Sequence, residues 1–208
     1  MLTRLGAAAA LTAAAFAASA QEKTYSGYLD LFGIPYSFTE GETRNPTTGA
    51  SEEATDRGLG LGVRSIGVLT NWLGASFEYQ YVELDETNDS LKQLRAGLGY
   101  IGAYGGVFVE YTDFDTLGVS NDGVGIHART SYNASRDMNL YADLGYLLLS
   151  NDFQDVEGLE FTIGGDFRLT DRWVVFADFR YTDLEGKDND AKIGPRDVRV
   201  GVRLPLGI

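Results

Sequence analysis

Trp72-Leu-Gly-Ala-Ser-Phe-Glu-Tyr-Gln-Tyr-Val-Glu-Leu-Asp85 alternates apolar with small or polar side chains, then breaks into acid. Leu73, Ala75, Phe77, Tyr79 and Tyr81 fall on one side of an extended chain; Gly74, Ser76, Glu78 and Gln80 fall on the other. Successive side chains of a strand point to opposite faces, so this stretch reads as a strand with one apolar and one polar face. Its ending, Tyr81-Val-Glu-Leu-Asp85, returns as Tyr111-Thr-Asp-Phe-Asp115 and as Tyr181-Thr-Asp-Leu-Glu185, with Tyr146 as a weaker copy between them. The spacing implies a unit of about 35 residues, which is two strands and their connections. Hairpins laid side by side follow.

Working outward, ten alternating runs cover the chain: Tyr25–Phe38, Gly58–Gly67, Trp72–Val82, Leu91–Ile101, Gly105–Thr112, Val124–Tyr132, Leu140–Ser150, Leu159–Leu169, Trp173–Thr182 and Asp197–Leu206. The first, which contains Pro35, is the least regular. Most are close to the 9–11 residues a tilted strand needs to cross a bilayer. The fold expected is all-β: a closed antiparallel up-and-down transmembrane β-barrel of ten strands. Eight membrane strands with one hairpin above them is the alternative. An even count puts both termini on one side and leaves no strand edge unpaired in hydrocarbon.

Composition agrees. Among 208 residues there are 26 Gly, 12 Tyr and 11 Phe, only 4 Pro and no cysteine. Disulfides and a lipid-bearing cysteine are thereby excluded. The N-terminus has one base, Arg4, then an Ala-rich apolar run and Ala18-Ser-Ala20, which reads as a signal peptide over 1–20. Residues 21–208 then form a single barrel domain. The formal net charge of −13 argues against nucleic acid as a partner.

Alternation leaves open which face is inside. Three features turn the apolar face toward lipid. The polar face mixes glycine with charges of both signs. Aromatic residues cluster near the strand ends: Trp72, Tyr100, Tyr132, Phe167 and Trp173 at one end, Tyr81, Tyr111, Tyr146 and Tyr181 at the other. Two such girdles mark membrane interfaces. Connections also alternate between short turns and acidic stretches, as periplasmic turns and outer loops do. The expectation is the outer membrane of a Gram-negative bacterium, with both termini periplasmic and lipid and lipopolysaccharide as surroundings. The pattern resembles the small outer-membrane barrels of the OmpA transmembrane-domain and OmpX kind. Those barrels typically have eight strands and often end in an aromatic residue, whereas this chain ends Arg203-Leu-Pro-Leu-Gly-Ile208.

By strand parity the inward acids are Glu78, Glu110, Asp143, Glu160, Asp166 and Asp178, and the inward bases are Arg64, Arg95, Arg129, Arg168, Arg180, Arg199 and Arg203. Unpaired charge in a confined interior is costly, so these groups are expected to pair across the lumen and plug it. A porin-like channel for ions or small solutes is the alternative and calls for an excess of one sign at a constriction. No catalytic residue, metal site or cofactor is expected. The single histidine, His127, follows Gly125 and precedes Arg129. Barrel proteases of the omptin family place an Asp two positions before their His, and PagL-type lipid A deacylases a Ser two positions after it. Neither pattern is present. The acidic stretches 40–57, 83–89, 113–122, 151–157 and 183–192 together carry −15. They read as a solvated rim that also suits divalent cations.

Overall fold

The computed structural model describes residues 27–44, 51–87, 89–102, 105–116, 118–151, 154–187 and 192–206. The expected signal peptide, 1–20, lies outside them. Ten strands follow in chain order: β1 Gly27–Arg44, β2 Ser51–Val68, β3 Leu73–Leu84, β4 Ser90–Gly102, β5 Gly105–Thr116, β6 Val119–Asn133, β7 Met138–Ser150, β8 Asp155–Arg168, β9 Val174–Gly186 and β10 Lys192–Pro205. Each pairs with its sequence neighbour, and β1 pairs antiparallel with β10 to close the barrel. All ten belong to the one closed sheet, which removes the eight-strand alternative. Closure matters because backbone groups at a free edge would go unsatisfied in hydrocarbon.

The barrel has a terminal end, where Gly27 and Pro205 lie, and a far end. At the terminal end the links are short. In two of them Thr70 and Thr170 accept hydrogen bonds from the backbone N–H of Leu73 and Trp173, at 3.1 Å each. At the far end the strands run on beyond the alternating runs. The acidic stretch 40–57 is strand up to Arg44 and again from Ser51. The stretch 113–122 is strand over 113–116 and again over 119–122. There Gly118, at φ 73°, takes the left-handed conformation that turns β5 into β6. Much of what reads as acidic loop is therefore continued hairpin, because the period of two persists through the acids.

Among the described residues, β1 carries the one break in parity. Asp30, Phe32 and Ile34 face inward and so do Ser37 and Thr39, with a bulge at Pro35–Tyr36 shifting the register against both neighbours. Pro lacks the N–H a ladder needs, so a bulge accommodates it. Outside, apolar side chains are left open: Leu61, Leu98, Val109, Ile126 and Ile163 are all more than half exposed. An exposed apolar belt this large marks contact with a non-aqueous phase.

Candidate functional site

The interior is the only place where the chain concentrates buried chemistry among the described residues, and it is filled in two tiers. The lower tier, toward the terminal end, is a lattice of arginines and carboxylates. Asp30 accepts from Arg64 Nη2 at 2.8 Å and from Arg203 Nε at 2.8 Å. Arg203 also reaches Asp166, and its guanidinium lies 3.9 Å over the Tyr28 ring. Asp178 joins Arg199, Arg64 at 3.1 Å and the hydroxyl of Tyr141 at 2.8 Å. Glu78 bonds Arg180 and lies 3.4 Å from Arg199 Nη1. Arg95 holds Glu160 with both terminal nitrogens, and Thr182 donates to the same carboxylate at 2.9 Å. The planar guanidinium fork suits such two-point contacts. Arg129 links Asp143 to Glu110, its Nη2 donating to Glu110 Oε1 at 2.7 Å.

The structure thus brings together twelve of the thirteen charges assigned to the lumen by parity: Arg64, Glu78, Arg95, Glu110, Arg129, Asp143, Glu160, Asp166, Asp178, Arg180, Arg199 and Arg203. Arg168 has the same parity but stands half-buried at the terminal rim, where its backbone N–H donates to Asp137. Sequence reasoning missed Asp30, hidden by the parity break in β1, and Asp197. Asp197 is 1% exposed and accepts from Ser37 at 2.7 Å and Gln80 at 3.0 Å.

The upper tier, toward the far end, is mainly apolar, with Thr112, Thr116 and Asn121 buried beside it. Val82, Leu84, Leu91, Phe114, Leu147, Leu149, Val156 and Leu184 are buried and pack as one cluster. The expectation was an ion-paired lumen, and this tier adds apolar packing above the ion pairs. The signal was present: Val82 and Leu84 continue the inward parity of Glu78 and Gln80, Phe114 that of Glu110, and Leu184 that of Arg180. Inward glycines admit these side chains. A Cβ on Gly60 would sit 2.8 Å from a Val82 methyl, and one on Gly62 2.4 Å from the Phe32 ring. A cavity of about 110 Å³ lies within the lattice, lined among others by Tyr28, Arg64, Glu78, Arg95, Tyr141 and Arg203.

His127 lies in the wall with no exposed surface. Its ring lies against Gly145, whose added Cβ would come within 2.4 Å of Cε1. On the outside, Trp72, Tyr100, Tyr111, Tyr132, Phe167 and Trp173 are exposed, and Tyr81, Tyr146 and Tyr181 are half-exposed. At the far rim, Lys92–Asp115, Lys187–Glu157, Lys192–Glu185 and Arg196–Glu40 pair at 2.9–3.8 Å. Among the described residues, no three His, Cys, Asp or Glu side chains group to hold a metal ion. Asp56, on the extension of β2 beyond the apolar belt, is 1% exposed and anchors the β3–β4 link. Burial pushes its carboxyl up. The Thr87 hydroxyl at 2.6 Å and the N–H groups of Glu86, Thr87 and Arg57 outweigh that effect and hold it below the usual carboxylate range.

A closed ten-stranded barrel, apolar outside and tightly packed inside, is a transmembrane barrel of the bacterial outer-membrane type. The chain matches the outer membrane protein beta-barrel domain family over residues 5–204, and it belongs to that family. A comparison with curated proteins gives no match. Among solved structures, the outer membrane protease OmpT from Escherichia coli is similar at a TM-score of 0.54 and 9% identity, covering 91% of this chain and 99% of that one. Neisserial surface protein A (TM-score 0.41, 13% identity, 89% and 100% covered) is also similar. So is OprG from Pseudomonas aeruginosa (0.42, 12%, 88% and 98%). At these identities the likeness concerns the fold alone.

Proposed function

We propose that this protein is a non-enzymatic outer-membrane barrel with a sealed lumen, which holds acidic hairpins at the cell surface in a structural or recognition role. One observation carries the reading: two successive tiers fill the interior, an arginine–carboxylate lattice and a mainly apolar layer. Charged pairs bar apolar solutes, and a narrow apolar layer disfavours ions. His127 is fully enclosed, and a general base must come within hydrogen-bond reach of its substrate. The far hairpins face outward and the termini face the periplasm, in keeping with short turns at the terminal end. Lipopolysaccharide and divalent cations are partners proposed on rim charge alone, part of which is already taken by rim lysines.

The cavity of about 110 Å³ favours a second reading, a narrow channel entered from the terminal end. Conductance separates the two. Display is tested by labelling, because the chain has no cysteine of its own. In intact cells Lys187→Cys, at the far end, should react with a membrane-impermeant maleimide, whereas Asp171→Cys should not. The reverse pattern would overturn the orientation.

A further inference from the structure

Three arginines that line the lumenal cavity keep an N–H that no group of the protein accepts. Arg95 gives both terminal nitrogens to Glu160, and its Nε is buried without a partner. Arg180 directs its terminal nitrogens to Gln93, Gln80 and Glu78. Its Nε stands 3.8 Å from Glu160 Oε1, beyond hydrogen-bond reach. Arg129 donates through Nε to Asp143 and through Nη2 to Glu110, which leaves Nη1. Arg95 and Arg180 are each 3% exposed, so bulk water does not reach them. A buried charged donor without an acceptor is costly, and folded proteins keep few of them.

The charge around that cavity is one-sided. Arg64, Arg95, Arg129, Arg180 and Arg203 line it with five guanidiniums. Three carboxylates, Glu78, Asp143 and Glu160, line it with them. Asp30, Asp166 and Asp178, which hold Arg64 and Arg203, temper the positive excess from outside the lining. The lining runs from Gly105 and Ser131, near the terminal-end turns, inward to Arg95 and Arg180. We infer that this cavity is an anion site, taking one small inorganic oxyanion of the phosphate or sulfate kind from the terminal end. Guanidinium N–H groups match the oxygens of such an ion in charge and geometry. At about 110 Å³ the space suits a few heavy atoms, well below the roughly 300–1,000 Å³ of sites that hold drug-sized ligands. Such a site needs no opening through the upper tier, so it stands whether or not the lumen conducts.

Inorganic phosphate is the probe. The full barrel, refolded in neutral micelles with ¹³C,¹⁵N-arginine, is titrated at constant pH and ionic strength, with a bulky sulfonate as the balancing anion. NMR follows the arginine Nε–H resonances. With one ion bound per chain, those of Arg95 and Arg180 shift together and saturate, while those of Arg136 and Arg172, exposed at the terminal-end turns, do not. Ser131→Trp, at a lining position without charge, fills part of the cavity and should raise the half-saturating phosphate concentration about tenfold or more. Arg95 and Arg180 resonances that stay in place, as they would around water alone, overturn the inference. So do shifts that never saturate, that the sulfonate reproduces, or that keep the same half-saturation in Ser131→Trp. Triple-resonance assignment of the unsubstituted protein makes the first reading independent of whether the variant folds.

Discussion

Glu78→Gln measures whether the lattice is dry. Glu78 is 6% exposed, bonds Arg180 and lies 3.4 Å from Arg199. At an effective dielectric of about 20, a unit-charge pair at that 3.4 Å separation attracts by about 5 kcal/mol before desolvation is subtracted. Glutamine removes the charge and turns an NH₂ toward a guanidinium. Breaking one side of a buried pair costs roughly 3–5 kcal/mol. The low end applies here, because Arg180 keeps Gln93 at 2.6 Å and Arg199 keeps Asp178. A loss of about 3 kcal/mol moves a urea midpoint by roughly 1–3 M at ordinary slopes. The assay is unfolding from lipid vesicles followed by the fluorescence of Trp72 and Trp173. Asp115→Asn, at the half-exposed pair with Lys92, is the internal control, with an expected change of about 0–1 kcal/mol. A Glu78→Gln loss no larger than the control's would refute the reasoning, since pairs in a water-filled lumen are screened as surface pairs are.

Asp56→Asn tests the far-end anchor. The carboxyl is held low in the folded state, so its contribution is complete above the ordinary carboxylate range and is lost as pH falls through the lowered value. Acid-induced exchange of the Glu86 and Thr87 amides should flatten in the variant; unchanged acid dependence would argue against the anchor. Gly145→Ala forces a Cβ to within 2.4 Å of His127 Cε1, so the ring must move and thermal stability in micelles should drop, whereas Gly33→Ala meets nothing closer than 3.9 Å and should be near neutral. Leu98→Arg, on the outer face and 55% exposed, should cost about 2–4 kcal/mol in vesicles if it lies near the bilayer midplane. A neutral effect there would place Leu98 in water.

The ten strands and their faces were legible because period-two patterning is local: Leu73 to Tyr81 declares its face without reference to any other strand. The outward facing of the aromatic residues followed for the same reason. Parity yields a face but not a height or a partner, so the link between Glu78 and Arg180, 102 residues apart, could not be read from the chain. Asp30 was lost because Pro35 resets the parity of β1 after it. The apolar tier was lost for a different reason. Outward-facing acids such as Glu83, Asp113 and Asp183 suggest loop, yet their inward neighbours Val82, Leu84, Phe114 and Leu184 keep the strand going and pack into the lumen. At those positions the charge signal and the periodicity signal disagreed, and the backbone followed periodicity.

The most direct test is single-channel recording of the refolded barrel in a planar lipid bilayer. A sealed lumen predicts insertion with no discrete current steps, even in Glu78→Gln, because the apolar tier still stands above a weakened lattice. Reproducible conductance steps from the unsubstituted protein would contradict the account, and their ion preference would show which lumenal charges line the path.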